Sequence, residues 1–339
     1  MKKIIGFSSY LNVIAGGAEL STLQILNKKF NQGHQIEIVS FQRPSKEKIK
    51  WRFLKFHKEW VLSLINIRFT SNIFQYFEYL LNRKKVIKFF ELNDKKNRLI
   101  TYGKYAPAAI QNFPGKSEIY FRCEDDFGIN RNYHYGFKRI IKSIIIMIEY
   151  PALIIYKKDL KIALKKSKAF CNSKFMQQKL FNLYGVNSEI KYPSVNRNKL
   201  LREYHKENLI ERKKGIVFID GDVAKGSNIA LKVAKNVDSE LFYFFSKKIK
   251  KKIRKGNVVY LPWSNSAGKV FSFAKLVIVP SIWEEAFGRV SKESKILGIP
   301  VLVSNIGGLP ESVDYDNNSI VKNFQDANSW IKRIKEIII

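Results

Sequence analysis

The sequence predicts an α/β protein built as two Rossmann-like domains facing each other across a cleft. Three observations predict it. Short runs rich in Ile, Val and Phe alternate with helical patterns almost throughout, as expected of parallel sheets covered by helices. The alternation stops at residues 195–213, a polar stretch without strand signals, and then begins again. A chain of 339 residues has room for two domains of ordinary size. The expected domains are 1–200 and 201–339, the last helix being a candidate to cross back onto the first.

In chain order, "KKIIGFSS" reads as the first strand and residues 18–30 as a helix, with Gly33 and His34 as its stop. "QIEIVSF" reads as the second strand. "RLITY", "SEIYFR" and "KAFCNS" read as further buried strands. Residues 45–96 loosen into a basic, aromatic-rich region with a helix expected over 72–90. Within it, Trp51, Phe53, Phe56 and Trp60 interleave with Lys50, Arg52, Lys55 and Lys58, a pattern that suits an interfacial segment on anionic lipid. Beyond the polar stretch, strands are expected at "GIVFID", "ELFYFF", "NVVYL", "KLVIV" and "PVLV". Helices are expected over 227–236, 267–273, 288–297 and 327–337.

Composition narrows the function classes. Hydrophobic residues make up 45% and charged residues 27%, a globular balance. Two cysteines, Cys123 and Cys171, cannot frame a disulfide scaffold, and with four histidines and no His/Cys cluster a protein-held transition metal is not expected. A reducing, cytoplasmic setting is expected. The net charge of +32 is concentrated in residues 1–200 and implies an anionic partner: phospholipid, nucleic acid or a polyphosphate substrate. The excess of Lys over Arg also fits the bias of an AT-rich genome. No zinc-finger, helix-turn-helix or RNP pattern is present, so nucleic acid is not expected as a partner. The opening "MKKIIGFSSYLNVIAGGAE" imitates a signal peptide, but polar residues interrupt its apolar run and a strand–turn–helix pattern continues through it. "SIIIMIEYPALIIY", residues 143–156, is too short, and too interrupted by Glu149 and Pro151, to cross a bilayer.

Chemistry concentrates at three strand-to-helix junctions, where open α/β sheets bind ligands. In "NVIAGGAEL", Gly16 and Gly17 permit close backbone approach and the helix start offers N–H donors to phosphate. The spacing is not GxGxxG. In "FIDGDVAKGSNIAL", Ser227 is the expected N-cap and Lys225 sets an ammonium beside the helix start. The third, "VPSIWEEAFGRVSKESKILGIPVLVS", places Glu285 in a loop, Phe287 and Gly288 at a tight turn, and Glu293 about a turn and a half into a helix that ends at Gly298. One carboxylate accepts two sugar hydroxyls at once, so the pair suits a polyhydroxylated ligand over the helix start, with backbone N–H groups at 287–289 on its phosphate. Paired carboxylates also suit a glycosidase, a reading that leaves the lysine and the glycine loop unexplained.

Together these segments resemble the family 4 retaining glycosyltransferases, which have the two-Rossmann GT-B fold. "GGAELSTLQILNKKFNQGHQIEIVS" is similar to that family's opening helix and second strand. "CNSKFMQQKLFNLYGVNSEIKYPSVN" is similar to the segment entering its interdomain linker. "PSIWEEAFGRVSKESKILGIPVLVSNIGGLPE" is similar to its Glu-x7-Glu signature with the Gly-Gly loop that follows, and this last motif is the most specific. The resemblance implies metal-independent transfer from a nucleotide-diphosphate sugar with retention, no cofactor, and a glycan or lipid-linked acceptor in surface polysaccharide or lipopolysaccharide assembly. It implies that Glu285 binds hydroxyls of the transferred sugar and Glu293 the nucleotide ribose. Gly16, Gly17, Phe287, Gly288, Arg289 and Val290 would contact sugar and diphosphate, and Lys225 would offset charge on the leaving diphosphate.

One departure stands out. The family commonly carries Arg directly after the glycine matching Gly221, where this chain has Asp222; Arg289 is the candidate to supply the missing charge. Residues 120–136 match least, and Arg122, Glu124 and Asp125 are read there as acceptor-side candidates. A peripheral position on an anionic inner membrane face is expected. Two rivals stay open at this point: an epimerase or hydrolase on the same fold, and an inactive basic protein that sits on lipid or nucleic acid.

Overall fold

The computed structural model describes residues 3–9, 17–42, 59–67, 70–71, 73–129, 136–208, 214–219, 222–264 and 266–338. Gly16, Gly221 and the Trp51–Lys58 part of the basic aromatic segment lie outside them. The chain divides into two compact units, Met1–Pro193 and Ser194–Ile339.

The first unit runs β1 (Lys3–Phe7), α1 (Gly17–Phe30), β2 (Gln35–Gln42), β3 (Val61–Asn66), α2 (Gln75–Glu91), β4 (Arg98–Tyr102), α3 (Ala106–Gln111), β5 (Lys116–Phe121), α4 (Gly136–Lys166), β6 (Ser167–Cys171), α5 (Lys174–Tyr184) and β7 (Glu189–Ile190). Its seven strands are parallel, in the order β3-β2-β1-β4-β5-β6-β7. The chain steps outward from β1 to β3 and then returns to start again at β4, so the switch point lies between β1 and β4. Because helices cover such sheets on both faces, the strands read as continuous apolar runs: Ile4, Ile5 and Phe7 of β1 are all buried.

The second unit runs α6 (Arg197–Asn208), β8 (Gly215–Ile219), α7 (Ser227–Asn236), β9 (Phe242–Ser246), β10 (Ile253–Lys255), β11 (Val258–Pro262), α8 (Ala267–Phe271), β12 (Ala274–Val279), α9 (Arg289–Ile296), β13 (Val301–Ser304), α10 (Leu309–Ser312), β14 (Ile320–Val321) and α11 (Ala327–Ile338). Its strand order is β10-β11-β9-β8-β12-β13-β14, parallel except for β10 at the edge. The switch point falls between β8 and β12. Two apolar cores lie on opposite faces of this sheet: Val217, Val277 and Val301 face one, and Phe218, Ile278 and Leu302 the other. The closing helix α11 buries Trp330 and Ile334 in the second of these.

Several elements differ from the sequence reading. The polar stretch at 195–213 holds α6, which packs on α8 so closely that a Cβ on Gly268 would meet the Glu203–Tyr204 backbone at 2.3 Å. β3 lies in the region read as loose. The interrupted apolar run 143–156 is the middle of the 31-residue α4. Its Glu149 turns inward, where Oε1 accepts the backbone N–H of Tyr76 at 2.6 Å. Farther along the helix, Asp159 receives Arg83 through both Nε and Nη2 at 2.7 Å and the Tyr79 hydroxyl at 2.7 Å. Among the described residues no helix is long and apolar enough to cross a membrane. Trp60, read with the interfacial segment, is a core residue instead: it is buried, with its ring 6.1 Å from that of Phe30.

Candidate functional site

The candidate site of the second unit grows out of its switch point. Chains leaving β8 and β12 diverge there, and the loops after them carry Lys225 and Glu285. Gly226 joins the two. Its φ is +81°, and a Cβ would sit 1.8 Å from the Pro280 carbonyl oxygen, so only glycine lets the first loop lie against the second. The Ala224 carbonyl accepts the N–H of Ile282 at 2.9 Å and of Trp283 at 3.3 Å, stitching the loops together. This close approach corrects the expected cap. Gly226, and not Ser227, is the N-cap of α7, and Ser227 is the first helical residue.

Lys225 and Glu285 meet as a consequence. Lys225 Nζ donates to Glu285 Oε1 at 2.8 Å, and Ser281 Oγ donates to the same oxygen at 2.6 Å. The lysine also lies over the Trp283 ring, 5.0 Å from its centroid. Both side chains are partly buried, at 28% and 15% exposure. Glu285 Oε2 makes no hydrogen bond to the described residues. Ser281 and Trp283 were not singled out in the sequence; both lie inside the stretch around Glu285, but only the folded loop shows which way they point.

A third loop, after β13, supports the Glu285 loop from below. Gly308 N–H donates to the Glu285 carbonyl at 2.7 Å, and a Cβ on Gly307, whose φ is +60°, would meet the same oxygen at 2.6 Å. The Gly-Gly pair therefore exists because backbone packs on backbone there.

The turn into α9 follows. Gly288 has φ +103° and is the N-cap of α9, without a side chain to satisfy the first-turn N–H groups. A Cβ there would crowd Leu309, Ser291 and Ser312 within 2.8 Å. Beneath this turn Ser291 Oγ donates to the Gly288 carbonyl at 2.8 Å and lies 2.5 Å from Ser312 Oγ, a buried polar pair that fixes the helix start. Phe287 is buried and Val290 packs against the core. Glu293 is largely buried, and burial pushes its carboxyl above the usual range while the neighbouring Arg289 pulls it back. Arg289 Nε donates to Glu293 Oε1 at 2.9 Å. The guanidinium proposed to replace the missing arginine is thus engaged by the second glutamate. Gly298 has φ +69° and follows the last turn of the helix, as its position in the sequence implies. Asp222 is exposed; its carbonyl receives the N–H of Lys225 and Ser227, which closes the loop.

In the first unit, Gly17 begins α1. Arg122 extends from the end of β5, its guanidinium 5.2 Å from the Tyr102 ring and 5.1 Å from the Tyr120 ring. Burial lowers its basicity, and its Nε has no hydrogen-bond partner among the described residues. The Tyr102 hydroxyl donates to Glu19 of α1 at 3.1 Å, so these groups gather near the β1/β4 switch point. Glu124 opens a single 3-10 turn, Glu124–Phe127, and Asp125 lies exposed on it with Lys142 and Lys104 nearby. Asp126, the third acid of that run, is structural. Its Oδ2 accepts the N–H of Arg122 at 2.7 Å and of Cys123 at 3.1 Å, and burial lifts its carboxyl to about 6.

No group of three or more His, Cys, Asp or Glu that could hold a metal occurs among the described residues. What the second unit does present is a carboxylate with one open oxygen beside an ammonium with donors to spare, on loops that run into α7 and α9, whose N-caps are glycines. Such an assembly can hold hydroxyls and an anion side by side.

Comparison with known proteins bears on this arrangement. Residues 206–339 match the family model described as Glycosyl transferases group 1. An uncharacterized 41.2 kDa protein in the cps region of Klebsiella pneumoniae is 31% identical over 135 residues, 37% of either chain. The segment shared with the curated relatives thus spans little more than a third of their length at most. Among solved structures, the Anabaena HepE protein in complex with UDP and glucose aligns with a TM-score of 0.68 at 14% identity, over 100% of this chain and 90% of that one. WaaG, a glycosyltransferase involved in lipopolysaccharide biosynthesis, aligns with a TM-score of 0.61 at 14% identity, over 98% and 90%. At such identity the likeness shows the fold: two parallel-sheet, Rossmann-like domains of the GT-B type.

Proposed function

We propose that this chain, which belongs through residues 206–339 to the glycosyl transferases group 1 family, moves a sugar from a nucleotide-diphosphate donor to a glycan or lipid-linked acceptor with retention of anomeric configuration. The observation that carries this reading is the meeting of Lys225 and Glu285 at the second unit's switch point. In this mechanism the open Oε2 of Glu285 accepts hydroxyls of the transferred sugar, while Oε1 stays fixed by Ser281 and Lys225. An ammonium has three N–H donors. One goes to Glu285, and the remaining donors face the charge that develops on the leaving diphosphate. First-turn N–H groups of α9 hold the same diphosphate, and Glu293 accepts the ribose hydroxyls. Fixed donors that need no reorganisation as charge develops are the main source of acceleration in such a site. No metal is required where lysine and helix start share that charge.

Three further points belong to the same reading. UDP is the favoured leaving nucleotide, since UDP and glucose occupy the HepE structure. Surface polysaccharide assembly is the favoured setting, given the cps region of the Klebsiella relative and the role of WaaG. A lipid-linked acceptor places the chain at the inner face of the membrane.

Thermal shift with UDP, GDP and ADP tests the donor site. A nucleotide present at about 100 times its Kd stabilises by about 2.7 kcal/mol. Stabilisation by one nucleoside diphosphate, lost in Lys225→Ala, is the expected result; no response to any of the three would overturn the reading. Anomeric analysis of the product by NMR then decides between retention and inversion.

A further inference from the structure

The outward face of α4 is apolar where solvent would ordinarily demand polar groups. Phe137, Ile140, Ile141, Ile144, Met147, Ile148 and Ile154 are all exposed, Phe137 at 75% and Met147 at 70%. Their spacing follows the helical repeat, so they form one stripe along roughly 26 Å of helix at 1.5 Å per residue. A continuous apolar stripe of this kind marks an interaction surface. The opposite face is accounted for: Ala152, Leu153, Tyr156, Leu160 and Ala163 are buried in the fold.

Charge identifies the partner. Of the 31 residues of α4 only Glu149 and Asp159 are acidic, and both are buried with protein partners. Every charge that the helix exposes is therefore positive. Beyond the stripe the exposed positions change to lysine: Lys157, Lys158, Lys161 and Lys165. Apolar side chains followed by cations, without an exposed anion, fit the boundary between acyl chains and anionic headgroups. A second copy of the chain fits less well, because it would set the lysine end against an apolar stripe or against its own lysines.

We infer that α4 is the membrane-docking element of the chain, lying along an anionic bilayer surface with Phe137–Ile154 in the acyl boundary and the lysine end on the headgroups. This deepens the peripheral placement proposed above and shares no residue with the donor site. It also differs from the sequence reading, which assigned lipid contact to the Trp51–Trp60 segment.

Vesicle co-sedimentation of the full chain decides it, with phosphatidylcholine vesicles against phosphatidylcholine mixed with phosphatidylglycerol. The expected result is binding to the anionic vesicles and release by added salt. Ile144→Glu with Met147→Glu, and separately Lys157→Glu with Lys161→Glu, should each weaken that binding roughly tenfold or more. All four side chains are outside the core, so circular dichroism and the nucleotide thermal shift should stay as in the wild type. Loss of that thermal shift would speak to the donor site and leave the docking result readable. Equal binding to both kinds of vesicle, or wild-type binding by the α4 variants, would overturn the inference. So would a wild-type dimer in sedimentation velocity that the same substitutions dissolve, which would assign the stripe to a second copy.

Discussion

Gly226→Ala is the sharpest test of how the Lys225–Glu285 pair is built. At φ +81° an alanine costs about 1–2 kcal/mol in the left-handed region. Its Cβ would also sit 1.8 Å from the Pro280 carbonyl oxygen, a distance that backbone cannot relieve without moving. Separating the loops breaks the bonds from Ile282 and Trp283 to the Ala224 carbonyl, each worth about 1 kcal/mol. The total loss is about 3–4 kcal/mol. Gly298→Ala supplies the control: it lies in the same unit at φ +69°, and none of the described residues comes within 4 Å of its Cβ. Only the conformational cost, about 1–2 kcal/mol, applies there. Urea denaturation of both variants should therefore show a gap of about 2 kcal/mol, and nucleotide affinity should fall in Gly226→Ala alone. Equal destabilisation of the two variants would refute the reasoning, because the loop contact would then carry no weight.

Four further outcomes follow from the same geometry. Glu285→Gln should depress kcat more than affinity, since the proposed hydroxyl contact would have to persist through the transition state, while Glu293→Gln should mainly raise the Kd for nucleotide; full transfer activity in both would remove the assignment. EDTA should leave activity largely intact, and complete loss restored by Mg²⁺ or Mn²⁺ would count against charge compensation by Lys225. Arg289→Ala should cut transfer roughly tenfold or more, by analogy with removing an oxyanion donor, and Asp222→Arg should partly restore it; wild-type kinetics would end the compensation idea. Asp126 has a folded carboxyl near 6 and an ordinary unfolded one, so its ionisation opposes folding: the stability it permits is complete below about pH 4 and declines as pH rises through 6. Asp126→Asn keeps an oxygen for the Arg122 and Cys123 N–H groups and should abolish a decline of about 2–3 kcal/mol between pH 4 and 6 in chemical denaturation, relative to wild type.

Much of the second unit was legible because its signals are local. Strands buried on both faces read as apolar runs, and the helix after Gly288 announces itself by a glycine start and a glycine stop. Less of the first unit was legible, for equally physical reasons. β3, "VLSLIN", mixes exposed and buried positions, and α4 carries a proline and a glutamate in its middle that read as interruptions. Glu149 is tolerated there because it accepts the Tyr76 N–H, a partner 73 residues away that no local pattern can reveal. Trp60 looked interfacial among its cations and proved to be core for the same reason: sequence gives its neighbours along the chain, while burial depends on α1, a distant element.

The candidate site shows the same division between residue identity and residue engagement. Lys225 and Glu285 are visible as residue types at strand ends, but their meeting depends on Gly226 lying against Pro280 across the switch point. Arg289 illustrates the converse. It has the charge and the helix-start position for an anion contact, yet its Nε is held by Glu293 one turn on. The two roles are linked through charge. Burial already raises the Glu293 carboxyl, and Arg289 is what opposes that rise. A guanidinium that left Glu293 to meet a diphosphate would raise the carboxyl further and favour its protonation. Ribose hydroxyls donating to Glu293, as proposed, would stabilise the ionised form and work in the opposite direction. On the proposed reading, nucleotide binding and release of Arg289 would be coupled: each ribose hydroxyl that Glu293 accepted would lower the cost of freeing the arginine. Glu293→Gln removes the charge that holds Arg289, so it should weaken ribose binding while freeing the guanidinium. Its loss of nucleotide affinity should then be smaller for a nucleoside diphosphate than for the corresponding nucleoside, and equal losses measured by calorimetry would show that the arginine stays where the glutamate holds it.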